Sequence, residues 1–204
     1  MKNRFIVVEG LDGSGKSTQI KMLKEYLESM GEKVFMTAEP SEGRVGKTLR
    51  EMLSEDIPTD MYFQAGMFLA DRIDHCTNPV NGIKKMLEEG YTVISDRYYY
   101  STFAYQGTKS DMDYIMKINL DCPAILRPDV CIFLDLNPEI CKGRIDTNRG
   151  KTEMYEKNIE VMKSIRKNFL DVLNSLKDRE NIKIINAEGS IEDIQKAIRE
   201  AVEE

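Results

Sequence analysis

Gly10-Leu11-Asp12-Gly13-Ser14-Gly15-Lys16-Ser17 carries glycine, lysine and a hydroxyl at the spacing G-x-x-x-x-G-K-[ST]. Those residue types in that order bind phosphate. Glycines let the backbone curl into a nest whose N–H groups face anionic oxygens, and a helix starting behind the loop adds positive potential. Lys16 is then placed to reach the β and γ phosphates, and Ser17 to offer an oxygen to magnesium. A second group of reactive types stands at Asp96-Arg97. An aspartate there can hold magnesium through water, and an arginine can grip an incoming phosphate with a bidentate fork. The bland alternative is a structural Asp–Arg ion pair.

The run that follows, Tyr98-Tyr99-Tyr100-Ser101-Thr102-Phe103-Ala104-Tyr105-Gln106-Gly107, crowds aromatics and hydroxyls together. It suits a wall against a sugar and base, or equally a piece of core. Further on, Lys142-Gly143-Arg144-Ile145-Asp146-Thr147-Asn148-Arg149-Gly150-Lys151 is basic and glycine-flanked. It reads as a lid that closes on phosphates, over about 142–152, or as a solvated basic loop.

The elements that must position these groups are legible as apolar runs. Phe5-Ile6-Val7-Val8, Val34-Phe35-Met36, Tyr91-Thr92-Val93-Ile94, Val130-Cys131-Ile132-Phe133-Leu134 and Ile182-Lys183-Ile184-Ile185 predict five buried strands. Between them, Ile20, Leu23, Leu27 and Met30 repeat at helical spacing, with Gly31 placed to stop the helix. Met162, Ile165, Phe169, Leu173 and Leu176 form another such face, and Ile191, Ile194, Ile198 and Ala201 a last one behind an N-cap at Ser190. Alternating strand and helix demands crossovers, so the expected fold class is α/β, a three-layer α/β/α of the P-loop NTPase kind with a five-stranded parallel sheet and a short lid. Residues 42–90 and 98–122 hold more helix than a crossover needs, with Pro58 and Asn78-Pro79-Val80-Asn81-Gly82 as caps or kinks. They are expected to wall in the strand ends. No repeat or linker divides the chain, so residues 1–204 are read as one domain.

Composition narrows the partners. In 204 residues, 29 Lys plus Arg against 35 Asp plus Glu give a net charge of −6, which speaks against broad electrostatic binding of nucleic acid or anionic membrane. Hydrophobic residues at 41% and charged residues at 31% exclude disorder and fibre. Cys76, Cys122, Cys131 and Cys141 contain no C-x-x-C, and the single histidine, His75, has no metal-ligand spacing, so neither zinc nor a disulfide framework is expected. Met1-Lys2-Asn3-Arg4 leads into only four apolar residues, short of a signal peptide or a membrane span, and a cytoplasmic protein is expected.

A phosphate loop alone leaves kinase, switch GTPase and motor ATPase open. No N-K-x-D is present, and the single D-x-x-G, Asp12 to Gly15, lies inside the loop itself. The strand ends Ser95-Asp96-Arg97 and Leu134-Asp135-Leu136 lack the paired acids of a remodelling ATPase. At this point the sequence resembles the thymidylate kinase family, from Phe5 to about Tyr155. The motifs are Glu9 to Gln19, Glu39-Pro40, Phe68 to Arg72, Asp96-Arg97-Tyr98 with Ser101-Thr102 and Ala104-Tyr105-Gln106-Gly107, Arg127-Pro128-Asp129, and Leu134-Asp135. The D-R-Y followed by S-T-x-A-Y-Q-G is the most specific of them.

The resemblance implies transfer of the ATP γ-phosphoryl group to the 5′-phosphate of dTMP, with magnesium, in a homodimer. It implies that Gly10 through Ser17 and Thr18 bind ATP together with Arg144 and Arg149, and that Ser17 and Asp96 serve the metal. Asp12, Glu39, Pro40, Phe68, Arg72, Arg97, Ser101, Thr102 and Tyr105 would line the dTMP site, with Phe68 stacked on thymine, Arg72 at a base carbonyl and Tyr105 beneath the sugar. Asp12, Lys16, Arg97 and Arg144 are the expected catalytic set. Gly13 occupies the position where one class of the family carries a catalytic arginine, so Arg144 and Arg149 place this chain with the class whose arginine comes from the lid. More ordinary roles compete: Phe68 as helix packing, Arg72 paired with Asp71 or Asp74, and Tyr105 as core.

Two positions depart from the family pattern. Thr37-Ala38-Glu39-Pro40 has alanine where an arginine is usual, a loss that Arg44 could supply, and Met154 replaces a usual arginine near the end of the lid. The competing functions are a kinase for another nucleoside monophosphate, such as UMP or dCMP, and a nucleotide-binding module without catalysis.

Overall fold

The structure, a computed structural model, describes residues 3–54, 57–107, 110–148, 155 and 158–203. Strand and helix alternate from the start: β1 (Phe5–Gly10), α1 (Lys16–Ser29), β2 (Lys33–Ala38), then α2 (Arg44–Ser54), α3 (Met61–Thr77) and α4 (Ile83–Glu88). β3 (Tyr91–Asp96), α5 (Tyr99–Gln106), α6 (Met112–Leu120), β4 (Val130–Asp135) and α7 (Pro138–Asn148) follow. The chain then runs through α8 (Ile159–Leu176), β5 (Ile182–Asn186) and α9 (Ile191–Glu203). Among the described residues the five expected strands form one all-parallel sheet in the order β2-β3-β1-β4-β5.

β1 is central and wholly buried because it has a strand on each side and helices on each face. α1 packs with α9, and α5 packs with α8, with α3 against α5 and α2 against α3, giving the three-layer α/β/α arrangement. Ile20, Leu23 and Leu27 of α1 and Met162, Ile165, Phe169, Leu173 and Leu176 of α8 bury the predicted faces. Burying each such side chain contributes about 1.5–3 kcal/mol against the entropy of ordering it.

Three details differ from the sequence reading. β2 and β5 are half-exposed, with Met36 and Ile184 open to solvent, because each is a sheet edge with one strand neighbour. Met30 and Ile191 are also exposed. Met30 already caps α1, where Gly31 (φ 86) turns the chain, and Ile191 is the first residue of α9 behind Ser190, whose hydroxyl accepts from Asp193 N at 3.1 Å.

Register decides where the site can be. Val8 pairs with Asp96, Asp96 with Ala38, and Gly10 with Leu134, so the carboxyl ends of β1, β2, β3 and β4 finish at one edge. The strand order reverses around β1, and ligands of open α/β sheets bind outside the carboxyl ends at such a point.

Candidate active site

The phosphate loop emerges from β1 and runs into α1 through glycines at positive φ: Gly10 (151), Gly13 (81) and Gly15 (97). Gly13 is needed for space as well as for backbone, since a Cβ there would lie 2.5 Å from the Cys141 carbonyl oxygen of α7. The close approach of α7 therefore leaves no room for an arginine at this position. The Arg144 side chain of the same helix instead reaches over the loop and donates from Nη1 to Gly13 O at 3.3 Å. α1 has no acidic residue in its first turn to compete with an anion. Lys16 is buried and donates to Gly10 O (3.0 Å) and Leu11 O (3.2 Å). Burial and then the Arg97 guanidinium push its ammonium below the ordinary value, against Asp12, Asp96 and Glu9. Such a lysine gains from an anion at the loop.

Around the loop lies a cavity of about 660 Å³ lined by Asp12 to Thr18, Asp96, Arg97 and Arg144. A second cavity of about 500 Å³ is walled by α2, α3 and α5 and lined by Asp12, Glu39, Pro40, Phe68, Arg72, Arg97, Ser101, Thr102 and Tyr105. All nine residues named for the acceptor thus share one cavity. Asp12, Glu39 and Arg97 line both spaces. Gly10 and Leu11 lie at the root of the loop, and Arg149 falls outside the described residues. Lys142 to Asn148 continue α7 as helix, and residues 149–152 of the expected lid lie outside the described residues.

Arg97 stands at the junction with a left-handed backbone, φ 70. Its own N–H donates to Val8 O at 3.0 Å, while Nη2 meets Asp12 Oδ1 at 2.8 Å and the Tyr105 hydroxyl at 3.2 Å. Nη1 donates to Ser101 Oγ at 2.9 Å, and the guanidinium lies 5.1 Å from the Tyr105 ring centre. The turn is held from beneath by Glu9, whose Oε1 accepts from Tyr98 N (2.8 Å) and Ser101 N (3.1 Å), and whose Oε2 accepts from Ser101 Oγ (2.7 Å). Burial pushes the Glu9 carboxyl up to about 7 despite Arg97, Ser101, Tyr98 and Lys16. In the sequence Glu9 is marked only as the first residue of the Glu9 to Gln19 motif.

Arg72 does not pair with Asp71 or Asp74. Its Nε and Nη2 donate to Glu39 Oε2 (2.9 and 2.5 Å), while Asp71 accepts from Ser41 N and Oγ. Phe68 is half-buried and outside the core cluster. Tyr105 is both core and cavity wall.

Arg44 is absent from the lining, whereas Arg50, also on α2, is present. Arg50 Nη1 donates to Pro40 O (2.6 Å) and Ser41 O (2.7 Å), which fixes a cation beside the loop that lacks an arginine at Ala38. Tyr155 also lines the acceptor cavity, its hydroxyl donating to Gln64 Oε1 at 2.7 Å and its ring edge-on to Tyr105 at 5.2 Å. Nothing local in the sequence marks Arg50 or Tyr155; their roles depend on contacts across the fold.

For magnesium, Asp96 Oδ1 is a buried oxygen without a hydrogen-bond partner, and Asp96 and Ser17 line the same cavity. Those donors fit the ion. Among the described residues no group of three or more His, Cys, Asp or Glu side chains is placed to hold a metal ion.

A phosphate loop opposed across one arginine to a cavity of nucleotide size defines a P-loop phosphotransferase of the nucleoside monophosphate kinase type. The family model for thymidylate kinase matches residues 8–198. The chain is 36% identical over 208 residues to a probable thymidylate kinase of Pyrococcus horikoshii, covering 97% of this chain and 95% of the relative. It is 34% identical over 207 residues to the thymidylate kinase of Caldicellulosiruptor saccharolyticus, covering 100% and 98%, and 35% identical over 190 residues to that of Brachyspira hyodysenteriae, covering 89% and 90%. The chain belongs to the thymidylate kinase family.

Proposed function

We propose that this protein transfers the γ-phosphoryl group of ATP to the 5′-phosphate of dTMP, giving dTDP and ADP. The observation that carries the reading is the sharing of Asp12, Glu39 and Arg97 by the two cavities, so that a donor on the loop and an acceptor beside α5 meet at one place. An acceptor phosphate is already anionic at neutral pH, so no general base is required and the work is alignment and charge neutralisation. Lys16 takes the β and γ oxygens of the donor. Arg97 takes the acceptor phosphate, exchanging part of its bond with Asp12 for the ligand, and Arg50 supplies the cation that Ala38 lacks. Phe68 faces the base, Arg72 offers it an N–H, and Tyr105 underlies the sugar where a 2′-hydroxyl would collide. Ser17 and Asp96 would hold magnesium, which would supply charge neutralisation at the transferred group.

In this reading residues 1–204 are one working domain with its lid over about 142–152. The protein functions as a cytoplasmic homodimer. Tyr62 and Phe63 on α3 and Tyr114 on α6 support the dimer as exposed aromatics, with Tyr62 and Tyr114 paired edge-on at 5.8 Å. Four free cysteines suit a reducing compartment. Among the described residues no helix is long and apolar enough to cross a membrane.

The test is ADP formation from ATP and magnesium with dTMP, dUMP, UMP, dCMP, CMP, dAMP and dGMP offered separately, and Lys16→Ala as the background control. Preference for dTMP is expected. Preference for UMP or dCMP would keep the transfer chemistry and overturn the base-pocket assignments, and no stimulation by any acceptor in folded protein would overturn the kinase reading.

Arg144 carries its own expectation. With its Nη1 already at the loop, charge neutralisation by Arg144 grows toward the transition state more than in the bound ground state. Arg144→Ala should therefore lower kcat at least about tenfold while ATP affinity stays within about threefold. Turnover and equilibrium nucleotide binding, measured on the same preparation, check it; unchanged kcat would sink the role.

A further inference from the structure

His75, the single histidine, is buried on α3 beside strand β2. Its Nδ1 lies 3.1 Å from Glu39 Oε1, and its Nε2 lies 2.7 Å from Thr37 Oγ1. A carboxylate only accepts, so Nδ1 must carry the hydrogen whatever the state of Nε2. The Thr37 hydroxyl can donate to a bare Nε2 or accept from a protonated one, so the imidazole is satisfied either way.

Beyond Glu39 the chain of bonds runs directly into the acceptor cavity. Glu39 Oε2 takes the Nε and Nη2 hydrogens of Arg72, Thr102 Oγ1 takes the second Nη2 hydrogen at 3.0 Å, and Asn119 Oδ1 takes one from Nη1 at 2.6 Å. The guanidinium also lies 5.3 Å from the Tyr98 ring centre. Of the roughly five N–H groups an arginine owns, one on Nη1 is left over for a ligand. Its position is set by the other bonds, and the largest share of those comes from Glu39.

We propose that His75 is a positioning residue for recognition of the acceptor base. By holding Glu39 Oε1 it fixes the carboxylate that holds Arg72, and so aligns the spare N–H with a carbonyl on the pyrimidine. The proposal rests on the dTMP kinase reading above.

The physical case is that a glutamate has three torsions, and a buried carboxylate bonded through one oxygen alone can pivot about it. Glu39 and His75 side chains are 2% and 5% exposed, and although Thr37 and His75 line a neighbouring cavity, a side chain that fills the imidazole's space leaves water no place to replace the lost donor. An unpaired Oε1 would turn toward another Arg72 nitrogen and consume the spare N–H or tilt the guanidinium. The pyrimidines differ in what they offer such a donor: thymine has a carbonyl at C4, whereas cytosine has an amino group that can only repel it. Loosening Arg72 therefore erodes the choice of dTMP over dCMP, which a general loss of packing would not do selectively.

The test compares His75→Leu, which fills the space without a donor, with His75→Asn, whose amide nitrogen can stand near Nδ1. Steady-state constants for dTMP, dCMP and ATP are measured on each. His75→Leu should raise KM for dTMP about tenfold and cut the dTMP over dCMP preference by a similar factor, with KM for ATP within about twofold. His75→Asn should recover most of both. Should the leucine variant fail to fold, Thr37→Val removes only the hydroxyl that orients Nε2 and should reduce the same preference about threefold. An unchanged preference in folded His75→Leu or in Thr37→Val, an asparagine variant as impaired as leucine, or equal rises in both KM values would overturn the role of His75 alone. A wild-type enzyme without preference for dTMP would overturn this role and the proposed function together.

Discussion

Arg97→Met is expected to lower kcat/KM for dTMP by about a thousandfold while changing ATP affinity by no more than about fivefold. Methionine keeps an unbranched stem against the Tyr105 ring, so the variant removes the guanidinium with little change in packing. What is lost is the cation at the junction of the two cavities, held toward Asp12, Ser101 and Tyr105 before any ligand arrives. Such preorganisation is worth most at the transition state, when charge spreads over the transferred group and no solvent can reorganise to meet it. Arg97→Lys should recover the reaction only in part, because an ammonium restores charge without the two-pronged geometry. A folded methionine variant within about tenfold of wild type in kcat/KM for dTMP would show that the acceptor phosphate is held elsewhere, with Arg50 the first candidate.

The same residue illustrates what sequence could and could not reveal. Asp96-Arg97 follows an apolar run, so its place at a strand end was legible, as was the whole phosphate loop, because both are local patterns between a strand and a helix. The acceptor residues were legible as types in motifs, and they line one cavity because α2, α3 and α5 converge over the carboxyl ends of the strands. Partnerships were not legible. Arg72 has aspartates at positions 71 and 74 within easy reach in sequence, yet its carboxylate is Glu39, brought from the end of β2 by the sheet. Glu9 and Ser101 meet across a separation of 92 residues, and His75 and Glu39 across 36.

Arg50 rather than Arg44 lines the cavity because its guanidinium is held by the Pro40 and Ser41 carbonyls, a contact that no short window of sequence reveals. The exposure of β2 and β5 has a similar origin. Their apolar runs look like those of β1 and β4, but strand order is decided by crossovers that no short window contains. His75 carried no signal at all, since a buried histidine bonded to a carboxylate and a hydroxyl leaves nothing in its neighbours to mark it.

Glu9 gives the second large effect, and it concerns stability against pH. Its carboxyl is buried beneath the Arg97 turn and titrates at about 7 in the folded protein against 4.5 when exposed. Below 4.5 both states carry the proton and the group is neutral in its contribution. Between 4.5 and 7 the folded state holds a proton that the unfolded state has released, so stability falls as pH rises, and the fall is complete above 7. Each pKa unit is worth about 1.4 kcal/mol, which makes the total about 3 kcal/mol. Glu9→Gln retains the acceptor for Tyr98 N and Ser101 N and has no titration. Denaturant unfolding of both proteins from pH 5 to 8.5 should therefore show wild type losing about 2 to 3 kcal/mol relative to the glutamine variant, with most of the change before pH 7.5. A constant difference across that range would mean that the three donors from Tyr98 and Ser101 compensate the burial of the charge. In that case Glu9 would be an ordinary ionised carboxylate throughout, and the Arg97 turn would rest on a full negative charge at every working pH.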